Sequence, residues 1–176
     1  HMTEQIAFLG TGRLGAGFVE AALGRGDRVT VWNRTPAKAQ ALAAFGATIA
    51  ATPAAAVRGA VRVHLVLKDD ATVESTIDRL SGSLDDGAIL IDHTTTQPAL
   101  TAARAARLNA SGIRYLHCPV FIGPAMARKG QGIILASGPR LLFDAVQPAL
   151  ARQATRVEYF GERPDAAAVF KLCGNA

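Results

Sequence analysis

Cysteine is scarce in this chain: two in 176 residues, Cys118 and Cys173, far apart and outside any metal-ligand spacing. That excludes a disulfide framework and a zinc-ligand array, and fits a reducing cytoplasm. Long apolar runs are missing as well. None nears the ~20 residues needed to cross a bilayer, so the chain reads as soluble, with no membrane partner. Basic runs of four or more are absent, so the net charge of +5 does not form a nucleic-acid stripe. Arg13, Arg25, Arg28 and Arg34 are instead expected to gather near a site for a multiply anionic ligand. The opening His1-Met2 has the look of a tag remnant, and no secretory leader follows it. What the chain does have is 49% hydrophobic against 19% charged residues, the composition of a folded domain. Its length is enough to bury roughly 70% of the unfolded surface.

Short β-branched runs alternate with alanine-rich helical stretches, the pattern of a parallel sheet with crossover helices. Strands are expected at Gln5–Leu9, Arg28–Trp32, Ala47–Ala50, Val61–Leu67, Ala88–Ile91 and Arg114–Cys118. A further pair, Gly132–Ser137 and Thr155–Tyr159, is expected to extend the same sheet on one edge. Helices fall at about Leu14–Gly24, Pro36–Phe45, Pro53–Val57, Ala71–Leu80, Pro98–Ser111 and Pro139–Ala151. Thr35-Pro36, Thr52-Pro53 and Gln97-Pro98 place proline at first helical positions. Glycines 46, 82, 112 and 161 supply stops and turns. The fold class is therefore α/β, Rossmann-type, doubly wound with a mostly parallel sheet over residues 1–163. A last helix begins within 164–176 and the chain stops inside it.

Gly10-Thr11-Gly12-Arg13-Leu14-Gly15 matches G-x-G-x-x-G between the first strand and the first helix. In that context the first glycine makes the tight turn, the second lets backbone approach a pyrophosphate, and the third lets helix and strand pack closely. The helix N-terminus supplies amide donors and positive potential. The second strand ends Asn33-Arg34-Thr35, without the acidic residue that would hold a ribose 2′-hydroxyl and repel a 2′-phosphate. Arg34 and Thr35 can donate to phosphate oxygens, at about 1.5–3 kcal/mol per charge-assisted bond. The expected cofactor is NADP(H), favoured over NAD(H) by at least about tenfold.

Along its whole length the chain resembles the β-hydroxyacid dehydrogenases, a family that includes 3-hydroxyisobutyrate dehydrogenases and glyoxylate/succinic semialdehyde reductases. Phe8 to Gly15 is similar to the family's G-L-G-x-M-G opening, and Val31 to Thr35 to the form in its NADPH-dependent reductases. Leu67-Lys68-Asp69-Asp70 stands where the family has a loop beside the nicotinamide half of the cofactor; Leu67, Lys68, Asp69 and Thr72 are assigned to the cofactor. Asp92-His93-Thr94-Thr95-Thr96-Gln97-Pro98 resembles D-x-S-T-x-x-P, which assigns Thr94 and Thr95 to substrate and Thr95 also to the cofactor. Gly130 to Gly138 matches the stretch after the substrate loop. Lys171 to Asn175 resembles K-x-x-N-N, implying Lys171 as general acid–base and Asn175 as substrate anchor, four residues apart on one helical face. The resemblance further implies hydride transfer to or from a carbonyl or hydroxy acid. It implies a homodimeric parent protein whose all-helical C-terminal domain is absent from this chain.

The likeness breaks in the substrate loop. Pro119-Val120-Phe121-Ile122-Gly123-Pro124 stands where the family reads P-V-S-G-G, so Phe121, Ile122 and Gly123 would meet substrate with a hydroxyl lost and bulk gained. Gly123-Pro124-Ala125 is similar to the loop of NADPH-dependent imine reductases. Three readings stand: an NADPH-dependent carbonyl or hydroxy-acid oxidoreductase, an imine reductase, and a non-catalytic NADP-binding module. His64 is expected in the core or at a strand end, and His93 and His117 at strand C-termini without triad partners. Cys118 and Cys173 read as packing residues.

Overall fold

The computed structural model describes residues 3–80 and 82–174. Its chain runs β1 (Gln5–Leu9), α1 (Arg13–Gly24), β2 (Arg28–Trp32), α2 (Pro36–Gln40) with a 3-10 turn after it, β3 (Thr48–Ile49), α3 (Pro53–Val57) and β4 (Arg62–Leu65). It continues through α4 (Asp70–Asp78), β5 (Ile89–Asp92), α5 (Pro98–Ala110), β6 (Arg114–His117), β7 (Val120–Phe121), α6 (Pro124–Arg128), β8 (Ile133–Ala136), α7 (Arg140–Gln153), β9 (Arg156–Tyr159) and α8 (Ala166–Gly174). Six strands form one parallel sheet in the order β3-β2-β1-β4-β5-β6. The order reverses between β1 and β4, and ligands of such sheets lie in the crevice outside the strand C-termini at that switch point.

Burial on both faces explains the unbroken apolar runs. Side chains alternate along a strand, so Ile6 and Phe8 of β1 enter the core layer with Phe18, Val19 and Leu150, whereas Ala7 and Leu9 enter the layer with Val57, Val63, Leu65 and Ile77. Prolines 36, 53 and 98 occupy first helical turns as the sequence indicates, and Thr52 caps α3 by accepting from Ala55 N. Gly46 closes its helical turn in the left-handed region at φ +101°.

One expectation is overturned. The pair β8 and β9 does not extend the main sheet; with β7 it forms a separate three-stranded sheet, β7-β8-β9. The chain leaves β6 through Pro119, which has no N–H to give a ladder. β8 then pairs antiparallel with β7 rather than with β6, leaving a single bridge between His117 and Ser137. Strand β7 and helix α6 were not legible in the sequence. Helix α6 packs on α1 at Gly17, where an added Cβ would come within 2.9 Å of both Ala127 Cβ and Pro124 O.

Candidate functional site

The glycine turn is fixed by close approaches. Gly10 sits at φ +102°, and a Cβ on it would lie 2.1 Å from Val66 O, the chain leaving β4. A Cβ on Gly15 would lie 2.1 Å from Gly10 O. Both positions exclude any other residue on internal grounds. Gly12 differs: its φ is −63° and a Cβ there meets nothing within 4 Å. Among the described residues nothing requires glycine at that point, and the open space lies at the N-terminus of the twelve-residue α1. No side chain caps that terminus and no acidic residue occupies its first turn. Helix amides left uncapped beside a space a Cβ would fill suit a pyrophosphate.

The end of β2 is tied to this turn. Asn33 accepts from Thr11 N at 2.7 Å through Oδ1 and donates to Thr35 O at 3.0 Å through Nδ2. Arg34 and Thr35 are exposed beside it, as is Arg13 at the first position of α1, while Leu14 is half-buried. A cleft of about 440 Å³ opens here, lined by Trp32, Asn33, Arg34, Gln40, Ala50 and Arg79 among others. Arg79, a residue the sequence reading missed, lies with its guanidinium carbon 5.2 Å from the Trp32 ring centre. Arg25 and Arg28 are elsewhere. Arg28 begins β2 and Arg25 caps the end of α1, at the opposite, N-terminal end of the strands, so the expected cluster of four arginines reduces to Arg13 and Arg34. A roomier groove of about 1020 Å³ also lies at the N-terminal end of β5 and β6, around Asp85 and Arg114, away from the switch point.

On the other side of the switch point, two loops are bonded to each other. Leu67 N donates to Thr94 Oγ1 at 3.0 Å, and Gln97 N donates to Asp70 Oδ2 at 3.0 Å. Lys68 and Asp69 are exposed. Asp69 caps α4, accepting from Thr72 N (2.9 Å) and Thr72 Oγ1 (2.6 Å), and those bonds hold its carboxyl below the usual range. Thr94 is buried with its hydroxyl committed to Leu67, whereas Thr95 is exposed over the crevice edge.

Beneath these loops lies a buried polar layer. His93 Nδ1 lies 2.8 Å from Cys118 O and so donates; its Nε2 must then accept from His64 Nδ1 at 3.0 Å. His117 Nε2 donates to Thr94 O at 2.8 Å. Burial pushes all three imidazoles below their ordinary value, His93 to about 4. Burial also drives the Cys118 thiol well up, which leaves it unreactive.

Lys171 and Phe121 meet at the far end. Nζ of Lys171, on α8, stands 4.2 Å from the Phe121 ring centre, and burial lowers its pKa. Gly174 receives the same ring: a Cβ there would come 2.6 Å from Phe121 Cζ. Ile122 turns onto Gly132, with Gly123 half-buried beside it as the N-cap of α6. Helix α8 is docked by Ser137, whose hydroxyl accepts from Ala167 N (2.9 Å) and donates to Pro164 O (3.2 Å). Asn175 lies outside the described residues.

Residues 5–161 match the family described as the NAD binding domain of 6-phosphogluconate dehydrogenase. Glyoxylate/succinic semialdehyde reductase 1 of Arabidopsis thaliana is 30% identical over 161 residues, covering 90% of this chain and 56% of that protein. The Streptomyces aurantiacus imine reductase superposes with a TM-score of 0.92 at 30% identity, covering 98% of this chain and 60% of the other. The Aspergillus terreus reductive aminase, solved in complex with NADPH and ethyl levulinate, gives 0.89 at 31% identity, covering 99% and 60%. The chain thus spans little more than half the length of the plant reductase it matches.

Proposed function

Because the chain belongs to the family of the NAD binding domain of 6-phosphogluconate dehydrogenase, we propose that it is the NADP(H)-binding part of an oxidoreductase acting on a carbonyl or hydroxy group. The observation that carries this reading is the uncapped α1 terminus at Gly12, next to the exposed Arg34 and Thr35. The first suits a pyrophosphate, and the second pair suits a 2′-phosphate. When bound, the nicotinamide supplies or accepts the hydride. The protein's own part is to hold the dinucleotide across the switch point and to move a proton at the substrate oxygen. Lys171 is the proposed proton donor and acceptor. Its lowered pKa brings it nearer to working pH, which favours acid–base catalysis worth about 10²–10⁴-fold. In this reading the longer protein is a cytoplasmic homodimer in which Asn175 assists Lys171.

A second reading is favoured by Phe121 and Ile122. With an aromatic face rather than a hydroxyl beside Lys171, this end of the site suits a less polar carbonyl compound or an imine. The likeness to imine reductase and reductive aminase structures supports the same substrate class. A screen of cyclic imines against semialdehydes on the longer enzyme separates the two.

The direct test is a fluorescence titration of this chain with NADPH and with NADH. NADPH should bind at least about tenfold more tightly, and Arg34→Ala should remove most of that preference. Equal affinities would sink the Arg34 reading. In the longer enzyme, Lys171→Ala should lower kcat by about 10²–10⁴-fold and leave cofactor affinity unchanged. Cofactor binding without turnover of any carbonyl or imine would instead favour a non-catalytic binding module.

A further inference from the structure

Arg104, in the middle of α5, is 1% exposed, and neither the glycine motif nor the substrate loop includes it. Its Nη2 donates to Asp70 Oδ1 at 2.8 Å and its Nε to Tyr115 OH at 3.3 Å. Tyr115 OH in turn donates to Asp92 Oδ2 at 2.6 Å, and Asp92 Oδ1 accepts from Thr94 N at 3.0 Å. Asp70 also holds Gln97 N, at the start of α5. One buried cation therefore stands behind two carboxylates, and each carboxylate grips the backbone of the 94–97 segment. Asp70 opens α4 and Asp92 ends β5, so the segments before α4 and after β5 are fastened to each other through Arg104.

The place of those loops gives the fastening a use. With the pyrophosphate at Gly12 and the 2′-phosphate end at β2, the other half of a dinucleotide extends over β4 and β5. There the 67–70 and 93–97 segments form the rim, with Thr95 exposed on it. We propose that Arg104 is a positioning residue that fixes both rim segments as one unit against the nicotinamide half of the cofactor. This rests on the NADP(H) reading above. A buried guanidinium suits such a role because its planar fork reaches Asp70 and Tyr115 at once, which a lysine ammonium cannot do with fixed geometry.

The test compares the chain with its Arg104→Met variant by two measurements. The first is amide hydrogen exchange. Positioning predicts exchange faster by roughly tenfold at Leu67, Thr94 and Gln97, with Gly10 and Ala16 unchanged. A purely stabilising role speeds all protected amides alike and overturns the proposal. The second is titration with NADPH and with 2′,5′-ADP, which lacks the nicotinamide half. The variant should bind NADPH roughly tenfold more weakly and 2′,5′-ADP with unchanged affinity. Equal weakening of both ligands, or of neither, overturns the proposal. If the unaltered chain binds neither ligand, the cofactor reading falls and takes this one with it, while the exchange data still report on the fastening. Should Arg104→Met fail to fold, Asp70→Asn keeps an oxygen for Gln97 N, removes the ion pair, and is expected to give the same pattern.

Discussion

On the β2 side of the crevice, backbone meets backbone. Gly10 lies against Val66 O, Gly15 against Gly10 O, and Asn33 reaches only to the main chain of Thr11 and Thr35. On the β5 side, side chains from distant segments do the fastening: Asp70, Asp92, Arg104 and Tyr115, with His64, His93 and His117 below. The first construction tolerates no added atom at Gly10 or Gly15 and uses almost no charge. The second fills its space with polar groups, most of them paired, with Arg104 Nη1 and His117 Nδ1 buried outside any hydrogen bond. A dinucleotide spanning both would have its phosphates on rigid, small-residue backbone and its reactive end on a rim whose stiffness is ionic.

Glycine substitutions break the first side most severely. Gly10→Ala places a methyl against Val66 O in a conformation L-residues rarely adopt, and should cost about 3 kcal/mol or more, or prevent folding. Gly12→Ala meets open space at an ordinary φ. Its stability should stay within about 1 kcal/mol while cofactor affinity falls roughly tenfold or more. Urea unfolding and NADPH titration on the two variants check this. If Gly12→Ala also unfolds the protein, its glycine is structural and the space beside it is no evidence of a ligand.

Acid should break the second side and spare the first. His93 titrates at about 4 in the fold, against 6.5 unperturbed, because burial disfavours its charge, and His64 is lowered as well. Below about pH 6.5 the unfolded chain binds protons that the fold refuses. The fold is therefore unpenalised above 6.5 and loses stability as pH falls towards 4, by about 3 kcal/mol for His93 when complete. Glu74, held low by Arg107, pulls in the same direction but only at lower pH, since its unperturbed value is 4.5. Urea midpoints at pH 7.5 and pH 5 report the histidine window. A flat profile between them would mean that the imidazoles are protonated in the fold, which the His64–His93 bond does not allow.

This division also marks how much the sequence revealed. The strand positions, the glycine turn and the Asn33-Arg34-Thr35 segment are local, and their spacing carries the geometry directly. So do Thr52 and Gly46 as helix boundaries. The buried layer was hidden because its members are scattered: Asp70 and Arg104 are 34 residues apart, and Asp92 and Tyr115 are 23 apart. A helical arginine in an alanine-rich segment reads as solvated until the fold turns it inward. The misplaced pair β8 and β9 has a similar cause, since alternation identifies a strand without naming the neighbour it pairs with. Phe121 showed a departure from the resembled family, but only the structure shows its ring against Lys171 and Gly174.

The smallest expected effect on stability is at the joint of the β2 side. Asn33→Asp keeps an oxygen for Thr11 N and loses only the donor to Thr35 O at 3.0 Å. Stability should therefore change by no more than about 1 kcal/mol. The ligand consequence is larger, because a carboxylate beside Arg34 accepts from a ribose 2′-hydroxyl and repels a 2′-phosphate. NADPH affinity should fall relative to NADH by roughly tenfold, with the glycine turn undisturbed. If the preference is unmoved, Asn33 acts only as a fastener of the turn, and the phosphate is read by Arg34 and Thr35 alone. If both cofactors weaken together, the carboxylate has displaced the turn itself, and the β2 side depends on paired polar groups as fully as the β5 side does.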